Sequence, residues 1–207
     1  MLSLPRKFNY FLLLLIALSS LNGCQHLSTH PIMTTPPTFA AAQLQHWSLI
    51  GKLGARLEHR AFSAQLIWQQ QQDHYELTLQ GPLGQGSVKI TGDKNQMTLH
   101  TAEETIQSLE AESLLKDQLG WSIPIQALAW WIKGLPMPEQ TFSETQYDEQ
   151  HHLSHFIQQD WQITLTDYRM ISFENNPLIQ VELPHRILLE KSPLKLTVVI
   201  SQWQPLL

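Results

Sequence analysis

The sequence has a single cysteine, Cys24, among its 207 residues. That excludes a disulfide framework and a cysteine-built metal site, so the domain must be held by its apolar core. Charge is also scarce. Only 15% of residues are Asp, Glu, Lys or Arg, and their balance is acidic, with a formal net charge of −5. No basic run or stripe follows Cys24, which removes the electrostatic attraction on which nucleic-acid affinity rests and excludes nucleic acid as a partner. A membrane patch built on Lys and Arg is missing for the same reason, so contact with lipid must be apolar. No apolar run reaches the ~20 residues of a membrane-spanning helix. There is no His-Glu-x-x-His pair, no Gly-x-Ser-x-Gly elbow and no glycine loop opening a helix to cradle phosphate. Neither enzyme activity nor a metal is expected.

What is present begins at the amino terminus. Arg6 and Lys7 precede an apolar run from Tyr10 to Leu18, and Leu21-Asn22-Gly23-Cys24 follows. A basic region, a short apolar segment and small residues before a cut are the parts of an export signal. A cysteine directly behind the cut makes it a bacterial lipoprotein signal. Residues 1–23 are therefore expected to be removed. Cys24 is expected to carry S-linked diacylglycerol and an N-acyl chain, whose buried methylenes contribute about 0.8 kcal/mol each. A buried free thiol in an ordinary secreted protein is the competing reading, and Asn22 speaks for it, since a smaller residue is commoner there. Gln25 stands where Asp would resemble the inner-membrane retention signal of enteric lipoproteins, which favours the outer membrane of a Gram-negative cell. The signal holds Arg6, Lys7 and no acid, so its loss makes the mature chain more acidic.

Residues 24–38 are polar and include Pro31, Pro36 and Pro37, the composition of a flexible tether. Residues 39–207 are expected to form one domain, and an apolar share of 43% suffices for a packed core. The alanines between Phe39 and His46 predict a short helix. Thereafter the period is two: Phe62, Ala64, Leu66 and Trp68; Tyr75, Leu77 and Leu79; Val88 and Ile90; Met97 and Leu99; Trp161, Ile163 and Leu165; Leu194, Leu196, Val198 and Ile200. The connections are short, which favours an antiparallel meander over parallel units. Between Leu109 and Gly134 the period becomes helical, with Leu115 and Leu119 one turn apart and Leu128, Trp131 and Ile132 on one face. Ser108, Gly120, Pro124 and Gly134 before Pro136 predict the ends of two helices. The fold class is thus mainly β with α: a curved antiparallel sheet with a helical hairpin as lid or plug over its apolar concave face.

Chemistry-bearing residues are few in pattern though not in number. His151, His152 and His155 lie where a turn meets a strand, on which the last two would face opposite sides, so surface histidines are expected rather than a metal site. Glu103-Glu104 and Asp148-Glu149 are sequence neighbours that diverge, unlike acids converging across a cleft. The seven tryptophans admit two readings: core packing, or an apolar cavity lined by aromatic and aliphatic side chains that suits acyl chains. Gly81-Pro82-Leu83-Gly84 places a large apolar residue at the tip of a turn, where polar residues are usual. Leu83 either folds back onto the sheet or is an exposed probe.

Taken together, Gly51-Lys52-Leu53 after Trp47, Leu66-x-Trp68, Tyr75-x-Leu77-x-Leu79-x-Gly81-Pro82-Leu83-Gly84, Trp131-Ile132-Lys133-Gly134-Leu135-Pro136, Leu183-Pro184 and a last strand closing at Trp203 resemble the outer-membrane lipoprotein LolB family. The resemblance spans nearly all of residues 39–207. It implies an open, incomplete antiparallel β-barrel with helices over a hydrophobic cavity, for which Leu66, Trp68, Leu77, Leu128, Trp131, Ile132, Ile163, Leu196 and Val198 are candidate lining residues. It implies a monomeric receptor, anchored in the outer membrane and facing the periplasm, that takes acylated lipoproteins from the periplasmic carrier LolA and inserts them into the membrane's inner leaflet. In this family the residue matching Leu83 serves membrane delivery, which favours its exposure. No cofactor is implied beyond the lipid on Cys24. Two other classes remain: a scaffold lipoprotein of another outer-membrane assembly machine, with a filled core, and a lipoprotein enzyme acting on cell wall or lipid, which would need a pocket with a perturbed carboxylate.

Overall fold

Alternation of buried and exposed side chains writes the architecture. The computed structural model describes residues 38–82 and 86–206. Cys24, the signal, the tether up to residue 37 and Leu83 lie outside the described residues. Strands β1 (Thr38–Phe39), β2 (His46–Leu57), β3 (Arg60–Gln71), β4 (His74–Gln80), β5 (Ser87–Gly92), β6 (Met97–His100) and β7 (Thr105–Ser108) come first. Helices α1 (Ala111–Leu119) and α2 (Ile125–Trp131) follow, then β8 (Phe142–Tyr147), β9 (Leu153–Gln158), β10 (Trp161–Ser172), β11 (Gln180–Lys191) and β12 (Leu194–Leu206). One sheet holds the strands, eleven in the order β7-β6-β5-β4-β3-β2-β12-β11-β10-β9-β8 with every neighbouring pair antiparallel, and β1 off this path beside β11. Among the described residues its two edges, β7 and β8, do not pair with each other, so the barrel is open. Among the described residues no helix is long and apolar enough to cross a membrane.

The long strands β2, β3 and β12 form the spine, with Leu49 opposite Trp68 and Leu53 opposite both Ala64 and Val198. Between Ile200 and Gln202 the register of β12 slips by one residue, a bulge that bends the strand. Gly51 faces this bulge. A Cβ there would lie 2.5 Å from the Val199 carbonyl oxygen, so only glycine permits the approach. Just before this bulge β12 leaves β11, its pairing stopping at Arg186 opposite Val199, and farther back along β11 β1 pairs in parallel with Gln180 and Val181. Pro184, which has no N–H for a ladder, sits between these stretches, and its carbonyl accepts a hydrogen bond from Trp203 Nε1 at 3.1 Å.

Some local expectations differ from the structure. In place of a helix over 39–46, the chain makes β1 and a single 3-10 turn, Ala41–Gln43, because burial of Leu44 and pairing with β11 outweigh the alanine content. Phe62 lies on the apolar side of β3 by alternation yet is 42% exposed, because it stands near the β2–β3 hairpin, beyond the core. Ser108 does not cap α1 as its first flanking residue. That place is taken by Glu110, whose backbone N–H donates to Ser108 Oγ. The helix ends are as the glycines predict. Gly120 closes α1 at φ 78°, and Gly134 at φ 84° closes α2, where Leu135 N–H donates to the Trp130 carbonyl and Gly134 N–H to that of Trp131.

Candidate functional site

Where the concave face of the sheet meets the two helices, the side chains leave a cavity of about 40 Å³. Its sheet side is built from in-register inward positions: Leu53 of β2, Leu66 and Trp68 of β3, Leu77 and Leu79 of β4, Ile90 of β5, Leu189 of β11, and Leu196 and Val198 of β12. The other side is Leu115 of α1, Ile125 and Leu128 of α2, and Trp121 and Ile123 of the connection between them. No charged side chain and no acceptor side chain lines it. The one deeply buried indole donor among these residues, Trp68 Nε1, is spent on Gln70 Oε1 at 3.0 Å. Such a space takes an apolar ligand without hydrogen bonds. Its volume is well below the ~150 Å³ of an engineered cavity that admits benzene and the ~300–1,000 Å³ of ordinary ligand pockets. The space is therefore nearly filled by the side chains that line it.

The structure brings Leu66, Trp68, Leu77, Leu128, Leu196 and Val198 together around this space. It places Trp131, Ile132 and Ile163 elsewhere in the core, each fully buried. Trp131 packs near Trp161, their ring centroids 6.2 Å apart, and donates from Nε1 to Gln158 Oε1 at 2.7 Å. Leu53, Leu79, Ile90, Leu115, Trp121, Ile123, Ile125 and Leu189 line the cavity without having been singled out. For the strand residues among them alternation was the available signal. For Trp121 and Ile123 there was none, because a stretch between two helix ends reads as a linker.

Polar groups fasten α2 at its carboxyl end. Gln158 is buried and, besides accepting from Trp131, accepts from Met137 N–H at 2.8 Å and donates to the Met137 carbonyl at 2.9 Å. Lys133 is also buried; its Nζ donates to the Leu44 carbonyl at 3.0 Å and lies 4.2 Å from the Trp130 ring centroid. Burial lowers its pKa to about 8. Farther along, His152 is held between Asp148 Oδ2 at 2.8 Å and Glu182 Oε2 at 3.0 Å and stacks on Tyr168. Burial pulls this imidazole downward, but the hydrogen bonds and charges of the two carboxylates outweigh it and raise its pKa. His152 thus differs from the surface histidine expected, since its ring is largely covered and paired. Among the described residues no group of His, Cys, Asp and Glu is placed to hold a metal.

The loop that contains Leu83 is located by its ends. Gln80 pairs with Ser87, and Gly81 N–H donates to the Gly86 carbonyl at 3.0 Å. Strand direction puts Gly81 and Gly86 at the same end of the sheet as the β2–β3 hairpin and the β11–β12 turn.

A model of the family described as Outer membrane lipoprotein LolB matches residues 45–203. The chain is 39% identical to the outer-membrane lipoprotein LolB of Pseudomonas fluorescens over 163 residues, covering 78% of this chain and 76% of that one. It is 36% identical to the outer-membrane lipoprotein LolB of Cellvibrio japonicus over 201 residues, covering 94% of this chain and 98% of that one. In fold it is similar to the crystal structure of a LolA superfamily protein from Nitrosomonas europaea, with a TM-score of 0.46 at 8% identity, covering 78% of this chain and 86% of that one.

Proposed function

The chain belongs to the outer-membrane lipoprotein LolB family, and from that premise we propose that it is the receptor that accepts acylated lipoproteins from the periplasmic carrier LolA and inserts them into the inner leaflet of the outer membrane. The observation that carries the proposal is the apolar space between the concave sheet and the helices, which offers acyl chains contact and demands no polar partner. Cys24, lipidated, holds the protein to the outer membrane with its domain in the periplasm, and residues 25–37 give it reach. No covalent step is needed. Transfer runs downhill if the cavity binds acyl chains better than the carrier does and the bilayer binds them better still. The closed cavity suits this role, since each methylene removed from water contributes about 0.8 kcal/mol and repays part of the cost of opening.

One observation favours a second reading. At about 40 Å³ the cavity is nearly filled, as it would be in a scaffold lipoprotein that binds partners through its surface. Photo-crosslinkers at Leu66 or Leu196 in a soluble Cys24→Ala form, mixed with lipoprotein-loaded carrier, separate the two. Capture of the acylated end at these positions supports the receptor. Capture through surface positions alone supports the scaffold.

A further inference from the structure

We propose that the Trp121 indole, resting on Phe62, is the gate of the acyl-chain cavity, so that chains enter and leave at the barrel end formed by the β2–β3 hairpin and the β11–β12 turn. The proposal rests on the acyl-carrying reading above and adds the route and the residues that control it.

Among the described residues, Trp121 is the one that borders both the closed cavity and an open groove of about 730 Å³, whose other walls include Leu57, Arg60, Lys116, Ser122 and Leu194. Its ring is therefore the partition between them. Across from it stands Phe62, with ring centroids 6.2 Å apart and planes inclined by 35°. Both rings are partly exposed, Phe62 by 42%, so the contact lies at the boundary of the core. An aromatic pair of this kind is a weak closure.

The backbone is arranged to let Trp121 move. Gly120, at φ 78°, ends α1 on one side, and Pro124 precedes α2 on the other. Among the described residues, no backbone hydrogen bond ties Trp121, Ser122 or Ile123 to another segment. The carboxyl end of α2 is the opposite case. Lifting it would break the buried Trp131–Gln158 and Lys133–Leu44 hydrogen bonds, each of which would leave polar groups unpaired. Opening at the linker parts the Trp121–Phe62 rings and exposes apolar surface of Trp121 and Ile123, but leaves no buried polar group unpaired.

Ile125 is the competing door, since it borders both the cavity and a separate groove near the amino ends of the helices. Stopped-flow binding of the fluorescent fatty acid cis-parinaric acid to the mature chain carrying Cys24→Ala distinguishes the doors. Trp121→Ala and Phe62→Ala should each speed association and dissociation about tenfold, as when a contact of ordinary aromatic strength is lost from the closed state. Kd should change little in Phe62→Ala, because Phe62 does not line the cavity and a gate closes over the empty and the filled cavity alike; Trp121→Ala also removes part of the wall and should weaken Kd besides speeding both rates. The double variant should be no faster than either single one, since both remove the same contact. Leu115→Ala, a wall change, should alter Kd with association unchanged. If the wild type binds the probe and Trp121→Ala leaves both rates unchanged, or Ile125→Ala alone speeds them, the gate is elsewhere. If neither the wild type nor any variant binds the probe, the acyl-carrying reading falls and the gate with it.

Discussion

Leu196→Ala and Ile163→Ala remove branched aliphatic side chains from positions that are 1% and 0% exposed, yet only Leu196 faces the cavity. As core truncations both should cost about 2–5 kcal/mol. For a domain of this size each kcal/mol lowers the melting temperature by roughly 2–4 °C, so falls of about 4–20 °C are expected from both by calorimetry or circular dichroism. Binding should part them. Leu196→Ala takes away about two methylenes of contact with an acyl chain, at ~0.8 kcal/mol each, and should weaken cis-parinaric acid binding about tenfold. Ile163→Ala should leave Kd within about twofold, since Ile163 does not line the cavity and stands one strand beyond Leu189, the lining residue it pairs with. In a thermal shift assay, ligand at 100 times Kd adds about 2.7 kcal/mol to any form that binds it. The assignment of the cavity is refuted if Ile163→Ala weakens binding as much as Leu196→Ala does, or if saturating ligand raises the melting temperature of none of the three proteins.

The remaining predictions concern other parts of the chain. Leu83→Glu should leave stability and acceptance from the carrier nearly unchanged while transfer from receptor to liposomes falls sharply, because one Leu removed from water contributes ~1.5–3 kcal/mol, enough to bias a brief membrane encounter; loss of the first step would make Leu83 a packing residue. His152→Gln should destabilise the protein below the ordinary His pKa and much less at alkaline pH, because a raised folded-state pKa gives stabilisation that is present in acid and lost as pH rises through the folded value. Urea melts from pH 5.5 to 9 read this directly, and a pH-independent loss would show that the ring acts by packing alone. Gly51→Ala should cost about 1–3 kcal/mol, since its Cβ would collide with the Val199 carbonyl at the β12 bulge; an unchanged denaturation midpoint would mean that the bulge relaxes freely.

Some elements of this fold are written locally and others are not. β4 and the inner part of β12 alternate cleanly, and the two helices are bounded by Gly120 and Gly134, each at positive φ, a conformation glycine adopts without steric cost. β8 leaves no such trace: Phe142 to Tyr147 are all exposed, so no face was selected to be apolar. β11 is interrupted by Pro184, which a central strand rejects and this one accepts because β12 has already turned away.

The sequence by itself determined the lipoprotein signal pattern, the mainly β class with its two covering helices, and the family, because these depend on local order, spacing and composition. Only the tertiary structure decided which inward-facing residues surround free space. Leu66 and Ile163 follow the same alternating rule, yet one borders the cavity and the other is packed solid, since alternation sets the face of a strand and not what stands opposite it. The same holds for Trp121. Nothing in its neighbours along the chain marks it, and its position between cavity and groove comes from Phe62 and from strands and turns far away in sequence.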